Sequence, residues 1–325
     1  MRRREFVALL CGVAAWPLIA RAQQPEIPTI GFMSSRSPED SVNVVAAFRK
    51  GVAESGLVED KNFKIEFRWA YGAYDRLPAL AAELVGRPVT VIVATGGDPS
   101  ARAAKAATST IPIVFTTTDP IKSGLVTSFN RPGGNATGVY LPTADLEQKR
   151  LGLLAELFPG TTPFAALLNP KFAPTARQAS ELAGAARTIG RPLIVLNAST
   201  DEELDATFAS LTRQRVTAMV VASDPFFDTR RDKIIALAAQ KKLPSIYQFR
   251  EYVLAGGLMS YGISLVEGYH AVGNYAARIL KGEKPAELPV IQPVKFELVI
   301  NLKTAKALGF EFPPMFSARA DEVIE

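Results

Sequence analysis

The sequence predicts an α/β protein with two doubly wound parallel-sheet lobes, and three observations support this fold class. The chain has 325 residues, of which 48% are hydrophobic, so it is long and apolar enough for two cores. From residue 28 onward, short apolar runs alternate with longer amphipathic segments, as in parallel sheets whose strands are connected by helices. The second half of the chain repeats the pattern of the first half.

Composition excludes several classes of protein. One cysteine cannot form an internal disulfide, and one cysteine with one histidine cannot complete a Cys/His zinc site. The net charge is +5 at pH 7, but much of the excess comes from four arginines among the first 22 residues. Without those residues the chain has 33 basic and 31 acidic side chains, so we expect no nucleic-acid binding.

Residues 1–22 have the pattern of an export signal peptide. An apolar run at 7–20 follows the basic residues, and the ARA sequence at 20–22 is a small-x-small cleavage site. The RREF sequence at 3–6 resembles the core of a twin-arginine signal, so we expect export by that route, with the Sec route as the alternative. The apolar run is shorter than the roughly 20 residues that span a bilayer. We therefore expect cleavage after Ala22 and a mature chain without a membrane span.

The first lobe is predicted from four strands with helices between them. The strand segments are 30–33, 65–69, 89–94 and 113–115, and the helical segments are 42–55 and 77–85. Asp98-Pro99 predicts the start of a further helix, with Asp98 as its N-cap and Pro99 at the first helical position.

The second lobe is predicted from a similar series of elements. The strand segments are 165–168, 193–196 and 218–221, and the helical segments are 175–189 and 202–213. Residues 89–94 align with residues 216–221, and an Asp-Pro pair follows each of them, at 98–99 and at 224–225. This long-period repeat indicates two related lobes.

Two segments are predicted to connect the lobes. Residues 130–142, rich in glycine and proline, are interpreted as the first crossing, and residues 256–262 as the return. A long helix is predicted at 265–280, followed by a strand at 296–300 and a short helix at 304–308 that ends at Gly309.

Motifs spread over essentially the whole chain resemble the substrate-binding proteins of ABC importers of the tryptophan/tyrosine type. They are RRREF, PTIGFMSS, YDRLPALAAELV, VIVATGGDPS, IPIVFTTTDP, FNRPGGNATGV, SDPFF, GGLMSYG, KFELVINLKTAKALGF and RADEVIE. The resemblance implies the type I periplasmic-binding fold, with a three-segment hinge and a ligand cleft between the lobes. On this basis lobe one comprises residues 28–140 and 262–293, and lobe two comprises residues 141–261 and 294–325.

Polar residues follow three predicted strands of lobe one, which is where ligands bind in open parallel sheets. Backbone amides at a helix start, with hydroxyls nearby, favour an acid group. The candidate ligand contacts of lobe one are Ser34, Ser35, Thr95, Gly96, Gly97, Thr117 and Asp119. Alternatively, the serine, threonine and aspartate side chains only cap helices and turns.

Lobe two offers an acid and several aromatic side chains, a combination that suits a ligand with an amine and an apolar or aromatic body. The candidates are Asn169, Asp224, Phe226, Tyr247 and Tyr261, with Tyr140 at the first crossing. Asp224 is equally suited to be a helix N-cap, and Tyr140 to pack the hinge. Since Phe226 and Phe227 are adjacent, we expect one of them to belong to the core.

No enzyme signature is complete. Residues 95–97 lack the glycine spacing of nucleotide-binding loops, and residues 257–262 miss the G-x-S-x-G pattern by one position. His270, the only histidine, falls inside the predicted long helix and away from the strand ends where catalytic groups would lie. We expect no catalytic residue, no metal site and no cofactor.

These observations together lead us to expect a periplasmic solute-binding protein that acts as a monomer. The resemblance implies that it binds a small amino-acid-like or aromatic carboxylate between its lobes. It also implies delivery of this small-molecule ligand to an ABC permease with a cytoplasmic ATPase. A secreted α/β enzyme acting on a small substrate and a periplasmic sensor subunit are the alternatives.

Overall fold

A computed structural model describes residues 27–293 and 295–325 of the chain. The predicted signal peptide, residues 1–22, lies outside this part. The described residues form two β-sheets, one for each lobe, which confirms the predicted α/β fold class. None of their helices is both long enough and apolar enough to cross a bilayer.

Lobe one is built on five parallel strands. They are β1 (Thr29–Ser34), β2 (Lys64–Trp69), β3 (Val91–Thr95), β4 (Ile113–Thr117) and β5 (Ala136–Tyr140), with the helices α1 (Val42–Ala53), α2 (Leu77–Val85) and α3 (Asp98–Ala107). The strand order is β2-β1-β3-β4-β5. The interior strands β1, β3 and β4 are almost wholly buried, which explains why their sequences are continuous apolar runs. Strand β2 lies at the edge with half-buried side chains, so its sequence alternates.

The remaining elements build lobe two, except for one helix that returns to lobe one. They are α4 (Glu147–Leu157), β6 (Phe164–Leu168), α5 (Thr175–Thr188), β7 (Leu193–Asn197), α6 (Asp201–Ser210), β8 (Met219–Val221), α7 (Pro225–Thr229), α8 (Arg231–Gln240), β9 (Ser245–Tyr247), α9 (Arg250–Leu254), β10 (Met259–Ile263), α10 (Leu265–Leu280), β11 (Phe296–Asn301), α11 (Leu302–Leu308), α12 (Pro314–Ser317) and β12 (Glu322–Ile324). The strand order of the second sheet is β12-β11-β10-β9-β8-β6-β7.

The chain passes between the two sheets three times. It leaves the first sheet after β5, returns after β10, and leaves again after Ile291, whose backbone bridges to Val139 of β5. Between the second and third passages, helix α10 packs along α1 of lobe one. This contact holds the returning segment against the first lobe.

The structure corrects four predictions. Residues 259–262, interpreted as part of the return crossing, belong to β10 and pair with β11. Residues 136–140, interpreted from their glycine content as part of the crossing, form β5 and pair with β4. Gly138 is needed in this strand because a Cβ there would overlap the backbone oxygen of Phe115. The N-cap of α3 is Gly97, so Asp98 is the first helical residue and not the cap. The second sheet is not wholly parallel, since β11 runs antiparallel to β10.

Candidate ligand-binding site

The carboxyl ends of the parallel strands in the two sheets meet at a cavity between the lobes, as expected for open α/β sheets. Its volume is about 40 Å³, enough for a few water molecules, so the lobes are closed tightly around it. The cavity is lined by Arg36, Gly96, Gly97, Thr116, Thr117, Thr118, Leu265 and Tyr269 of lobe one, Leu141 and Thr143 of the first crossing, and Phe172, Ser223, Asp224, Pro225, Asp228 and Phe249 of lobe two.

Two glycines form part of the lobe-one wall of the cavity. Gly96 and Gly97 both have positive φ angles, of 78° and 91°. A Cβ at Gly96 would overlap the Ser35 hydroxyl, and a Cβ at Gly97 would lie 3.3 Å from Pro225 across the cleft. Gly97, the N-cap of α3, therefore faces the Asp224-Pro225 start of α7 across the cavity.

The carboxylate of Asp98 lies next to the hydroxyls that were predicted to bind an acid group. It accepts hydrogen bonds from the Thr117 and Thr118 hydroxyls and from the Thr118 amide, the last at 3.2 Å. Both hydroxyls therefore already donate their protons to a carboxylate of the protein itself. Thr117 Oγ1 also accepts a hydrogen bond from the Asp119 amide at 3.4 Å, so both the donor and an acceptor site of this hydroxyl are used within the protein.

Asp224 is the acid of the lobe-two wall. Its side chain caps α7 by accepting hydrogen bonds from the Phe226 and Phe227 amides, at 2.8 and 3.3 Å, so the N-cap interpretation is confirmed. It also accepts hydrogen bonds from Asn169 Nδ2 at 3.1 Å and from the Tyr74 hydroxyl of lobe one at 2.8 Å. Burial raises the pKa of the Asp224 carboxyl to about 7, although the hydrogen bonds from Asn169 and Tyr74 oppose this effect.

A buried ion pair that the sequence did not reveal joins the lobes beside the cavity. Arg36 Nη1 of lobe one donates to Asp228 Oδ2 of lobe two at 2.9 Å, and Arg36 Nε donates to Asp40 at 3.0 Å. Burial acts to lower the pKa of Arg36, but the two carboxylates together raise it, so the guanidinium remains charged. Burial raises the pKa of Asp228 to about 6 against the opposing effect of Arg36.

Four predicted candidates lie directly behind the cavity wall. The Ser35 hydroxyl donates to the Gly96 carbonyl at 2.5 Å, and the Ser34 hydroxyl accepts from the Arg36 amide at 3.2 Å. Thr95 is buried at the end of β3, and Asn169 holds Asp224 as described above. These side chains position lining residues and do not line the cavity themselves.

Five other candidates lie away from the cavity lining, namely Asp119, Tyr140, Phe226, Tyr247 and Tyr261. Asp119 accepts a hydrogen bond from the Lys122 amide at 3.0 Å, and so stabilises a surface turn. The Tyr140 hydroxyl donates to Asp145 at 2.5 Å. Tyr140 lies on the last residue of β5, where its ring packs against Phe129.

The aromatic candidates of lobe two pack within the protein. Tyr247 is buried and stacks on Tyr252 with ring centres 4.6 Å apart, and Tyr261 stacks on Phe296 at 6.4 Å. Phe226 lies under the Arg230 guanidinium, and both Phe226 and Phe227 are buried, whereas only one of them was expected in the core. The short helix α7 allows this because lobe one covers its outer face through Tyr74.

Several lining residues were missed from the sequence. Arg36 follows Ser35 directly, Asp228 comes one helical turn after Asp224, and Phe249 comes two residues after Tyr247. Extending each candidate loop by a few residues would have found them. Tyr269 has no such signal, since it belongs to a helix that only the tertiary fold brings to the cavity.

His270 does not face the cavity. It lies on α10 beside Tyr269, with its Nε2 atom 2.9 Å from a carboxylate oxygen of Glu54 on the surface of lobe one. In the described part of the chain, no group of three or more histidine, cysteine, aspartate and glutamate residues is arranged to hold a metal ion.

A comparison of the sequence with models of protein families shows to which family the chain belongs. The family described as ABC transporter substrate binding protein matches residues 30–324, nearly the whole described chain. The chain belongs to this family. Its fold is therefore that of a substrate-binding protein with two lobes, and it is a binding protein and not an enzyme, as the sequence predicted.

Relatives of this substrate-binding protein cover most of its length. A tyrosine-binding protein of Clostridioides difficile (strain R20291) is 28% identical over 81% of this chain and 76% of the relative. The structure of the ABC domain in complex with L-Trp from Streptococcus pneumoniae is 26% identical, covers 91% of this chain and 100% of that chain, and has a TM-score of 0.80. The ligand-free, open structure of a substrate-binding protein from Clostridium difficile is 24% identical, covers 92% and 99%, and has a TM-score of 0.65.

Proposed function

We propose that this protein binds an aromatic amino acid, or a similar small solute with an amine, between its two lobes and delivers it to an ABC permease. The observation that carries the proposal is the buried Asp224 carboxylate in the wall of a cavity that both lobes enclose. A carboxylate held by an asparagine and two helix amides is a fixed acceptor for an ammonium group.

The aromatic side chains around the cavity support a solute with an aromatic body. Phe172, Phe249 and Tyr269 come from both lobes, and no arginine or lysine of the described residues stacks on any of their rings. Such rings favour flat apolar groups by burial and by edge or face contacts. The names of two relatives, a tyrosine-binding protein and an L-Trp complex, agree with this chemistry.

The lobes have to separate before such a solute can enter, because residues of both lobes enclose the cavity. We propose that the moving bodies are residues 28–140 with 262–293 and residues 141–261 with 294–325. Three chain crossings between them support hinge closure. Gly96, Gly97, Thr117 and Asp224, which line the cavity, are the predicted candidates that we place at the solute.

The cellular context is part of the proposal. We propose that residues 1–22 direct export to the periplasm, that the mature protein is a monomer, and that a permease with a cytoplasmic ATPase receives the solute from the closed form. The RREF sequence at 3–6 and the ARA sequence at 20–22 support the export step.

Calorimetry on residues 23–325, unfolded and refolded to remove any bound solute, tests the proposal. We expect L-tyrosine or L-tryptophan to bind and to raise the unfolding temperature. Tyramine, which lacks the carboxylate, and 3-(4-hydroxyphenyl)propanoate, which lacks the amine, show which group is recognised. Because Asp224 is the proposed partner of the amine, the compound without an amine is expected to bind far more weakly. Failure of every aromatic amino acid to bind the well-folded protein would reject the ligand class.

A further inference from the structure

The two lobes contact each other through protein groups that need no solute between them. Arg36 of lobe one donates to Asp228 of lobe two at 2.9 Å, and the Tyr74 hydroxyl of lobe one donates to Asp224 of lobe two at 2.8 Å. The Tyr74 hydroxyl also accepts a hydrogen bond from the Phe226 amide at 3.0 Å. We call Arg36, Tyr74, Asp224 and Asp228 the interlobe latch.

The charged groups of the latch are held in place within their own lobes. Asp40 of lobe one fixes the Arg36 side chain. Gln248 and Tyr252 of lobe two donate to Asp228 Oδ1, at 2.6 and 3.1 Å, and leave Oδ2 for the arginine. The partners are therefore oriented before the lobes meet, so closing costs little side-chain entropy.

The latch is also shielded from water. The side chains of Arg36 and Asp228 are 4% and 8% exposed, so salt and solvent weaken this pair far less than a surface ion pair. Separating the lobes would leave buried charges and hydroxyls without their partners until water replaces them. Opening therefore has a cost that does not depend on the solute.

We propose that Arg36 and Tyr74 are positioning residues that stabilise the closed form with or without solute, and thereby set the rates at which solute enters and leaves. A contact that stabilises the empty closed form and the loaded closed form equally leaves the equilibrium affinity unchanged, provided that the closed form is the major form with and without solute. It slows association, because the solute needs the open form, and it slows release for the same reason.

The first experiment measures the latch without any solute. Residues 23–325 contain no cysteine, so spin labels can be attached at Asp75→Cys and Glu202→Cys, two exposed positions that line a groove across the seam between the lobes. In the parent protein we expect a short distance between the labels to dominate. Tyr74→Phe and Asp228→Asn are each expected to lower the ratio of short to long distances about fivefold, the effect of one lost hydrogen bond.

The matched control is Tyr275→Phe, which removes a hydroxyl that donates to the Pro289 carbonyl outside the interlobe contact. It is expected to leave the distances unchanged. Thermal unfolding of each variant shows that it is folded. An unchanged distance distribution in both latch variants, with the folded state intact, would overturn the proposal whatever the solute is.

The second experiment rests on the proposed function and uses stopped-flow binding of L-tyrosine or L-tryptophan. In Tyr74→Phe, whose ring does not line the cavity, we expect the association and dissociation rate constants to rise together, by about three- to fivefold, with less than about a twofold change in affinity. A rise in the dissociation rate alone would contradict the latch, because it would show that Tyr74 acts only on the loaded form. If neither amino acid binds, the proposed ligand class fails, and the spin-label distances still decide the latch.

Discussion

At the residue scale, Asp224 combines two roles that the sequence presented as alternatives. It caps α7, and the same carboxylate lines the interlobe cavity. Its four hydrogen-bond donors come from lobe two and from Tyr74 of lobe one. The cap fixes the direction of the carboxylate, and this fixed direction makes it a defined acceptor for a solute amine.

Replacing Asp224 separates these roles. Asp224→Ala is expected to lower the free energy of unfolding by about 1 kcal/mol through loss of the cap, and to weaken solute binding at least tenfold. Thr200→Ala removes the N-cap of α6, whose side chain accepts from the Glu203 amide, and serves as the control because Thr200 does not line the cavity. Denaturation and calorimetry measure both effects. Equal affinity of Asp224→Ala and Thr200→Ala for the solute would show that Asp224 acts only as a helix cap.

The raised pKa of Asp224 predicts a pH dependence of binding. Burial raises this pKa to about 7, and the nearby Asp228 carboxylate adds to the rise, while Asn169 and Tyr74 lower it. An ammonium group needs the ionised carboxylate, so the affinity of an amine-bearing solute is expected to fall by up to tenfold per pH unit below about 7. Calorimetry between pH 5 and pH 8 checks this slope.

The stability of the ligand-free protein changes with pH in the opposite direction. The pKa of Asp224 in the folded chain exceeds its ordinary value of about 3.9, so the folded chain retains this proton where the unfolded chain has lost it. The contribution of Asp224 to stability therefore decreases as the pH rises from about 4 to about 7. Asp224→Asn is expected to remove the pH dependence of affinity and the contribution of Asp224 to the pH dependence of stability, while Asp228 and Glu147, whose pKa values burial also raises, keep their own contributions. Affinity that stays constant from pH 5 to pH 8 would show that Asp224 does not bind the charged amine.

At the element scale, the contact between α1 and α10 depends on two glycines. A Cβ at Gly51 would overlap the backbone oxygen of His270, and a Cβ at Gly273 would overlap that of Phe48. Because the obstacles are backbone atoms of the facing helix, no side-chain rotation can relieve the overlap. The two helices have to move apart to accept any side chain.

Gly51→Ala and Gly273→Ala are therefore each expected to lower the free energy of unfolding by about 1–3 kcal/mol. Gly152→Ala is the control, since Gly152 also lies inside a helix but a Cβ there meets no atom within 4 Å. In the control, the better helix propensity of alanine is expected to give a gain of about 0.5–1 kcal/mol. Chemical denaturation compares the three variants. A neutral effect at Gly51 and Gly273 would contradict the close helix packing.

A buried polar network connects the first crossing to the binding site. Arg150 on α4 donates to the Thr143 carbonyl of the crossing, to the Ser223 hydroxyl at 3.1 Å and to the Tyr261 carbonyl of β10 at 3.4 Å. Glu147 accepts from the Ser223 amide at 2.9 Å, and burial raises its pKa to about 7. Ser223 and Thr143 both line the cavity, so α4 holds the end of the first crossing and the lobe-two wall in position relative to each other.

At the scale of the whole molecule, the lobes are closed. The interlobe latch and the small cavity show this closed arrangement. The proposed function requires that the arrangement opens and closes reversibly.

The export route is a further property of the whole chain. We expect Arg3→Lys combined with Arg4→Lys to stop export if the twin-arginine route is used, because that route reads the arginine pair, and to leave export intact if the Sec route is used. Replacing Arg2 and Arg21 by lysine is the control with equal charge. Immunoblots of cell fractions, with mass spectrometry of the exported N-terminus, show the route and whether the chain begins at Gln23.

The α/β class could be predicted from the sequence alone, as could the order of the main strands and helices and the loops from which the site is built. This was possible because hydrophobic period, helix caps and Asp-Pro turns are local signals. The sequence placed Gly96, Gly97, Thr117 and Asp224 among the candidates, and these do line the cavity. It could not exclude Tyr247 and Tyr261, because the face of a strand that meets the cavity depends on packing and not on strand position alone.

Which groups from distant parts of the chain meet depends on how the lobes pack, and no sequence pattern predicted it. Arg36 and Asp228 are 192 residues apart, and Tyr74 and Asp224 are 150 residues apart, yet each pair lies within 3 Å. No local pattern encodes such a pair, since its energy depends on burial and on the orientation of both lobes. The sequence showed two lobes with a cleft between them, and the packing of the lobes showed which side chains close it.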